Sequence, residues 1–108
     1  MKFNLTINEY EKTKILVNKN NFNIKEVQKN RLNKDTIENK IVLVFNTLKE
    51  YQDYGSPLIS SNISYLQIST ENGDIIFEKD NIAPENISLF SNIGENEITL
   101  DIVVFESL

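Results

Sequence analysis

Five consecutive apolar residues, Ile41-Val42-Leu43-Val44-Phe45, constrain this chain more than any other feature. Lys40 precedes the run and Asn46 follows it. All but Leu43 are β-branched or aromatic, types that fit a pleated sheet. A run of this kind reads as a strand covered on both faces. Elsewhere apolar residues alternate with polar ones, so each segment has one face to bury and packs around the run. At 108 residues the expectation is a single domain, 1–108, with a core large enough to stand without disulfides.

A rival reading runs through the same stretch. Asp35-Thr36-Ile37-Glu38 has the form of a helix capping box, and Ile37, Ile41, Val44, Leu48 and Tyr51 fall at helical spacing. One helix over residues 36–54 would use both. Against it, β-branched and aromatic residues lose rotamer freedom in a helix, and Asn46 and Thr47 compete with helical hydrogen bonding. A second capping box, Thr47-Leu48-Lys49-Glu50, marks a later start. The preferred reading is a strand over 40–46 and a short helix over 48–54. Gly55 would stop that helix with Pro57 beyond it, and Leu48 and Tyr51 would face the sheet. Leu58 and Ile59 add an edge strand or plug the core.

Asn72-Gly73 is the strongest turn signal. It predicts a two-residue type I′ hairpin joining 64–70 to 74–79. In that register Thr70 faces Ile75, Ile68 faces Phe77 and Leu66 faces Lys79. Leu66, Ile68, Ile75 and Phe77 then share the buried face, and Tyr65, Gln67, Ile76, Glu78 and Asp80 share the other. Phe3, Leu5 and Ile7 alternate as a first strand, paired with a second over 13–17 before the turn cluster Asn18-Lys19-Asn20-Asn21. Residues 22–28 read as a strand, with a helical turn as alternative, and 28–39 as a long exposed connection. Ile87 and Leu89 start a strand that turns at Ile93-Gly94-Glu95-Asn96. Ile98, Leu100, Ile102 and Val104 form the longest alternation. Outward Ile76, Val103 and Phe105 call for a second layer or an interface. The fold class is mainly β, or β-rich α+β: an antiparallel sheet or small two-layer sandwich or barrel of about six to eight strands with one short helix.

Composition removes many chemistries. The chain has no cysteine and no histidine, hence no thiolate nucleophile, no thiolate zinc site and no usual general base. Its three glycines are isolated, so no phosphate-cradling loop is present. Sixteen carboxylates leave acid–base catalysis formally open, but no pair stands out. Glu78, Asp80 and Glu85 surround a loop without calcium-loop spacing, and solvated charge is the simpler reading. No cofactor or metal is expected. The first residues carry no apolar signal core, and no apolar run has membrane-spanning length, so the expectation is a cytoplasmic protein, or one packaged in a virion, with no membrane partner. The Asn-, Ile- and Lys-rich composition matches AT-rich codons, as in a low-GC bacterium or its phage.

Charge is uneven along the chain. Residues 1–54 hold ten of the eleven basic residues and seven acids, net +3; residues 55–108 hold Lys79 and nine acids, net −8. Either the halves interleave in space and cancel, or the acidic half forms one face that repels nucleic acid and attracts a basic surface. Seven basic residues over 12–34 flank Phe22, but the acidic balance and the single Arg argue against direct nucleic-acid binding. Candidate partner-contacting residues are Tyr65, Ile76, Glu78, Asp80 and Glu85, with Tyr51 and Tyr54 as amphipathic anchors and Tyr10 as a further tyrosine. The functional expectation is a non-enzymatic protein-binding module: a small acidic inhibitor or immunity-like protein of a bacterium or phage that docks its C-terminal half on a basic partner. The alternative is a structural component of a phage or phage-like particle, homo-oligomeric through exposed sheet edges. A carboxylate enzyme ranks third.

Overall fold

A computed structural model describes residues 3–9, 12–15 and 23–107. The strands are β1 (Phe3–Glu9), β2 (Lys12–Ile15), β3 (Asn23–Arg31), β4 (Thr36–Phe45), β5 (Ile63–Thr70), β6 (Ile75–Lys79), β7 (Ile87–Ile93) and β8 (Ile98–Ser107). They form two antiparallel four-stranded sheets, ordered β2-β1-β5-β6 and β3-β4-β8-β7. The fold is the two-layer β architecture expected, with eight described strands. Leu5, Ile7, Leu66, Ile68 and Phe77 of the first sheet meet Ile41, Leu43, Phe45, Leu100, Ile102 and Val104 of the second in one core. Tyr10 and residues 16–22, including the Asn-rich turn, lie outside the described residues.

The five-residue run is the second half of β4, central in its sheet. Ile41, Leu43 and Phe45 are buried in the sandwich interior, as alternation requires. On the opposite face no second layer was needed. Val42 stands between Glu26 of β3 and Asp101 of β8 in its cross-strand row, and Val103 lies opposite Lys40. Both valines are buried. Long charged side chains shield apolar neighbours with their methylene stems. The polar stretch 28–39 is corrected. It is the hairpin between β3 and β4, closed by the Leu32 N–H donating to the Thr36 carbonyl at 3.0 Å. Asp35-Thr36-Ile37-Glu38 therefore opens a strand, not a helix, because ten residues of β4 find a partner in β8.

The helix begins where the second capping box placed it. Thr47 Oγ1 accepts the Glu50 N–H at 3.1 Å, and Glu50 Oε2 accepts the Asn46 N–H at 2.9 Å. It does not stop at Gly55. From α1 (Leu48–Glu50) it widens into a π-helical turn (Tyr51–Gly55) and returns to α-helix in α2 (Ser56–Ile59). Pro57 sits in the first turn of α2, directly after the π-helical turn. Gly55 serves contact rather than termination: a Cβ there would lie 2.7 Å from Tyr51 Cδ2 and 2.8 Å from Phe45 Cζ. Tyr51 and Leu58 are buried, whereas Leu48 is exposed, contrary to the face assigned to it.

In the β5–β6 hairpin the inner register is as expected, Ile68 opposite Phe77 and Leu66 opposite Lys79. The turn differs. Gly73, at φ 92°, alone among its residues has positive φ, and the Gly73 N–H bonds the Thr70 carbonyl at 3.0 Å. Asn72 does not adopt the left-handed conformation that a type I′ turn needs. The loop is one residue longer and ends in a bulge that sets Ser69 opposite Ile75. The slip carries Ile75 off the buried row; it is 54% exposed.

Candidate functional site: the acidic hairpin face

Tyr65 and Gln67 lie two residues apart on β5 and so share a face; Glu78 stands directly opposite Gln67 on β6. The three side chains close a hydrogen-bonded triangle. Tyr65 Oη donates to Glu78 Oε2 at 2.6 Å, Gln67 Nε2 donates to the same oxygen at 2.8 Å, and Gln67 Nε2 lies 3.1 Å from Tyr65 Oη. These bonds hold the Glu78 carboxyl below its usual range. The bond to Glu78, then burial, then the charges of Glu78 and Asp80, push the Tyr65 phenol up to about 12. Glu78 is thus a fixed anion and Tyr65 a neutral donor at ordinary pH.

Around the triangle stand Ile76, 47% exposed, and the bulge-displaced Ile75. Asp80 follows β6, and its Oδ1 accepts the Asn81 N–H at 2.8 Å. Asn81 takes φ 50°, a conformation Asn tolerates better than most residues, and this turns the chain so that Ile82 is buried. Its N–H bonds the Ser64 carbonyl at 2.9 Å. Glu85 is exposed in the 3-10 turn that leads to β7. Tyr54 is partly exposed on the π-helical turn. Tyr51 is buried edge-on against Phe45, ring centroids 5.6 Å apart, and offers no surface.

The acidic half is split between the sheets. Among the described residues, Glu97 binds Lys25 at 2.9 Å, Asp101 lies 3.5 Å from Lys40, and Glu106 lies 4.0 Å from Lys29. Here β8 and the turn before it lie against the basic β3 and β4, so charges far apart in sequence cancel. Glu71, Asp74, Glu78, Asp80 and Glu85 make no ion pair among the described residues. Over residues 63–86 these five acids face one base, Lys79. Sequence reasoning placed Gln67 on this face but gave it no role; its signal was its place opposite Glu78 in the hairpin register. Ile75 was missed because the extra loop residue cannot be read from Asn72-Gly73.

A groove of about 220 Å³ opens beside β7, lined by Ile59, Ser61, Asn62, Ile63, Pro84, Ile87, Ser88 and Leu89. Among the described residues no ionisable side chain lines it. Among the described residues no three acidic side chains cluster as metal ligands would, and no helix is long and apolar enough to cross a membrane. Searches against protein-family models, curated proteins and solved structures find no match.

Proposed function

We propose that this chain is a non-enzymatic protein-binding module of the inhibitor or immunity-like kind, presenting its β5–β6 hairpin to a basic partner surface. One observation carries the reading. Lysines of β3 and β4 offset three of the four acids of the β7–β8 unit, while the five acids of the hairpin and its exit loop have no ion pair among the described residues, and the same hairpin exposes Ile75 and Ile76. A rim of negative charge around an aliphatic pair suits a surface that steers a cationic partner and then excludes water. The triangle on Glu78 adds a preordered carboxylate, which loses little entropy on pairing with an arginine or lysine.

The test compares the intact chain with a Glu78→Lys/Asp80→Lys variant in capture from bacterial lysate at low and high salt. Captured species should be basic, released by salt and absent with the variant. Capture unchanged by both salt and charge reversal refutes the reading. A second reading, a structural component of a phage or phage-like particle, draws on bare sheet edges, of which β7 is the most exposed in apolar side chains among the described residues.

A further inference from the structure

β7 ends its sheet and bonds only to β8; among the described residues no backbone hydrogen bond joins it to another element. A row of unsatisfied N–H and C=O groups along seven residues is a template for another strand. Proteins commonly blunt such an edge with charge, proline or a bulge. The other described edges do so: β3 carries Lys25, Glu26, Lys29 and Arg31, and β6 carries Glu78 and Lys79. β7, Ile-Ser-Leu-Phe-Ser-Asn-Ile, has no charge, no proline and no bulge against β8. It also bears the two most exposed large apolar side chains of the described surface, Ile93 at 62% and Phe90 at 58%.

We propose that β7 is the seam of a symmetric dimer, in which two copies of this chain pair their β7 strands antiparallel about a two-fold axis through Phe90. A second copy fits because the strand is complementary to itself in that register. Phe90 meets its own counterpart, Ser88 meets Asn92, Leu89 meets Ser91, and Ile87 meets Ile93, so every apolar residue except Leu89 faces an apolar one. The same axis brings exposed Ile93 of each copy beside Ile87 of the other, where the uncharged groove walled by Ile59, Pro84 and Leu89 opens. Each copy thus supplies one knob and one groove. Two chains of net charge −5 meet where neither carries charge, and their four-stranded sheets become one of eight. The acidic hairpin belongs to the other sheet, so this inference stands apart from the function proposed above.

Sedimentation of the intact chain over a concentration series tests it, with circular dichroism to confirm the fold of each variant. Mass should rise from the 12.5 kDa of one chain to twice that value. Phe90→Glu and Phe90→Lys should each stay monomeric, since each sets like charges face to face across the axis. Mixed together, they should recover the doubled mass. The Glu78→Lys/Asp80→Lys variant should dimerise like the parent. A chain that stays monomeric up to millimolar concentration overturns the proposal. So does a dimer indifferent to both Phe90 changes, or a failure of the mixture to associate.

Discussion

Replacing Gly55 by Ala should destabilise this protein, although glycine-to-alanine inside a helix ordinarily adds about 1 kcal/mol of stability. Gly55 has right-handed helical dihedrals, φ −84° and ψ −51°, so alanine meets no backbone objection. The obstacle is space. The new Cβ would lie 2.7 Å from Tyr51 Cδ2 and 2.8 and 3.1 Å from Phe45 Cζ and Cε2. Carbon atoms prefer separations of about 3.5–4.0 Å, so the shortfall approaches an ångström at two aromatic rings. Neither ring can step aside easily. Phe45 is 2% and Tyr51 8% exposed, and they are set edge to face at an interplanar angle of 81°. Overpacking of this kind costs about 1–3 kcal/mol, which leaves a net loss of up to about 2 kcal/mol after the helix gain. At about 4–8 °C per kcal/mol for a domain near this size, the Tm should fall by several degrees. Urea unfolding followed by circular dichroism measures the free energy directly. On a Phe45→Leu background two of the three close contacts are gone and the Tyr51 ring gains room to shift, so the same Gly55→Ala change should cost less, a coupling of about 1 kcal/mol. A higher Tm for Gly55→Ala in the parent chain, or an equal effect on both backgrounds, refutes the steric account.

Leu58→Ala should cost about 2–5 kcal/mol because it empties a site in the core, whereas Leu48→Ala should stay within about 0.5 kcal/mol; equal losses in thermal melts would contradict the helix face described. Asn81→Val should cost about 1–3 kcal/mol through strain at φ 50°, while Asn81→Gly should be tolerated; urea midpoints distinguish them. The Tyr65 phenol is raised in the folded state, so its bond to Glu78 stabilises the fold below the ordinary tyrosine value and is lost as pH climbs through about 12. Ultraviolet titration of the parent minus Tyr65→Phe should show that late midpoint, and Glu78→Gln should move it toward about 10. Glu78 is depressed, so its contribution is present above the usual carboxylate value and fades as acid protonates it. Glu78→Gln should therefore flatten the acid limb of the stability profile.

Much of the architecture was legible in the chain because its signals are local. The strand core at residues 41–45, the capping box at Thr47 and Glu50, and the alternation of Leu100, Ile102 and Val104 each report a backbone state through neighbours in sequence. The polar residues 28–39 read as a connection because an edge strand with one shallowly covered face need not carry an apolar row; β3 owes its extension to hydrogen bonds with β4. The candidate face was legible in part. Tyr65, Ile76 and Glu78 were placed together by the hairpin register; helical spacing turned Tyr51 toward the sheet, where its ring packs on Phe45 and so leaves no surface for the anchoring role also given to it.

By itself the sequence determined most of the segments that extend, most of the faces that are apolar, and that no thiol or imidazole is present to do chemistry. Only the tertiary structure decided where charge survives. Strand order lays β8 along the lysine-bearing β4, with β3 beyond it, and leaves the β5–β6 hairpin in the other sheet, so three of the nine acids over residues 55–108 are offset by lysines while those of the hairpin and its exit loop have no ion pair among the described residues. Coulombic interaction depends on distance through space, and antiparallel pairing sets that distance between residues more than sixty positions apart, such as Lys40 and Asp101.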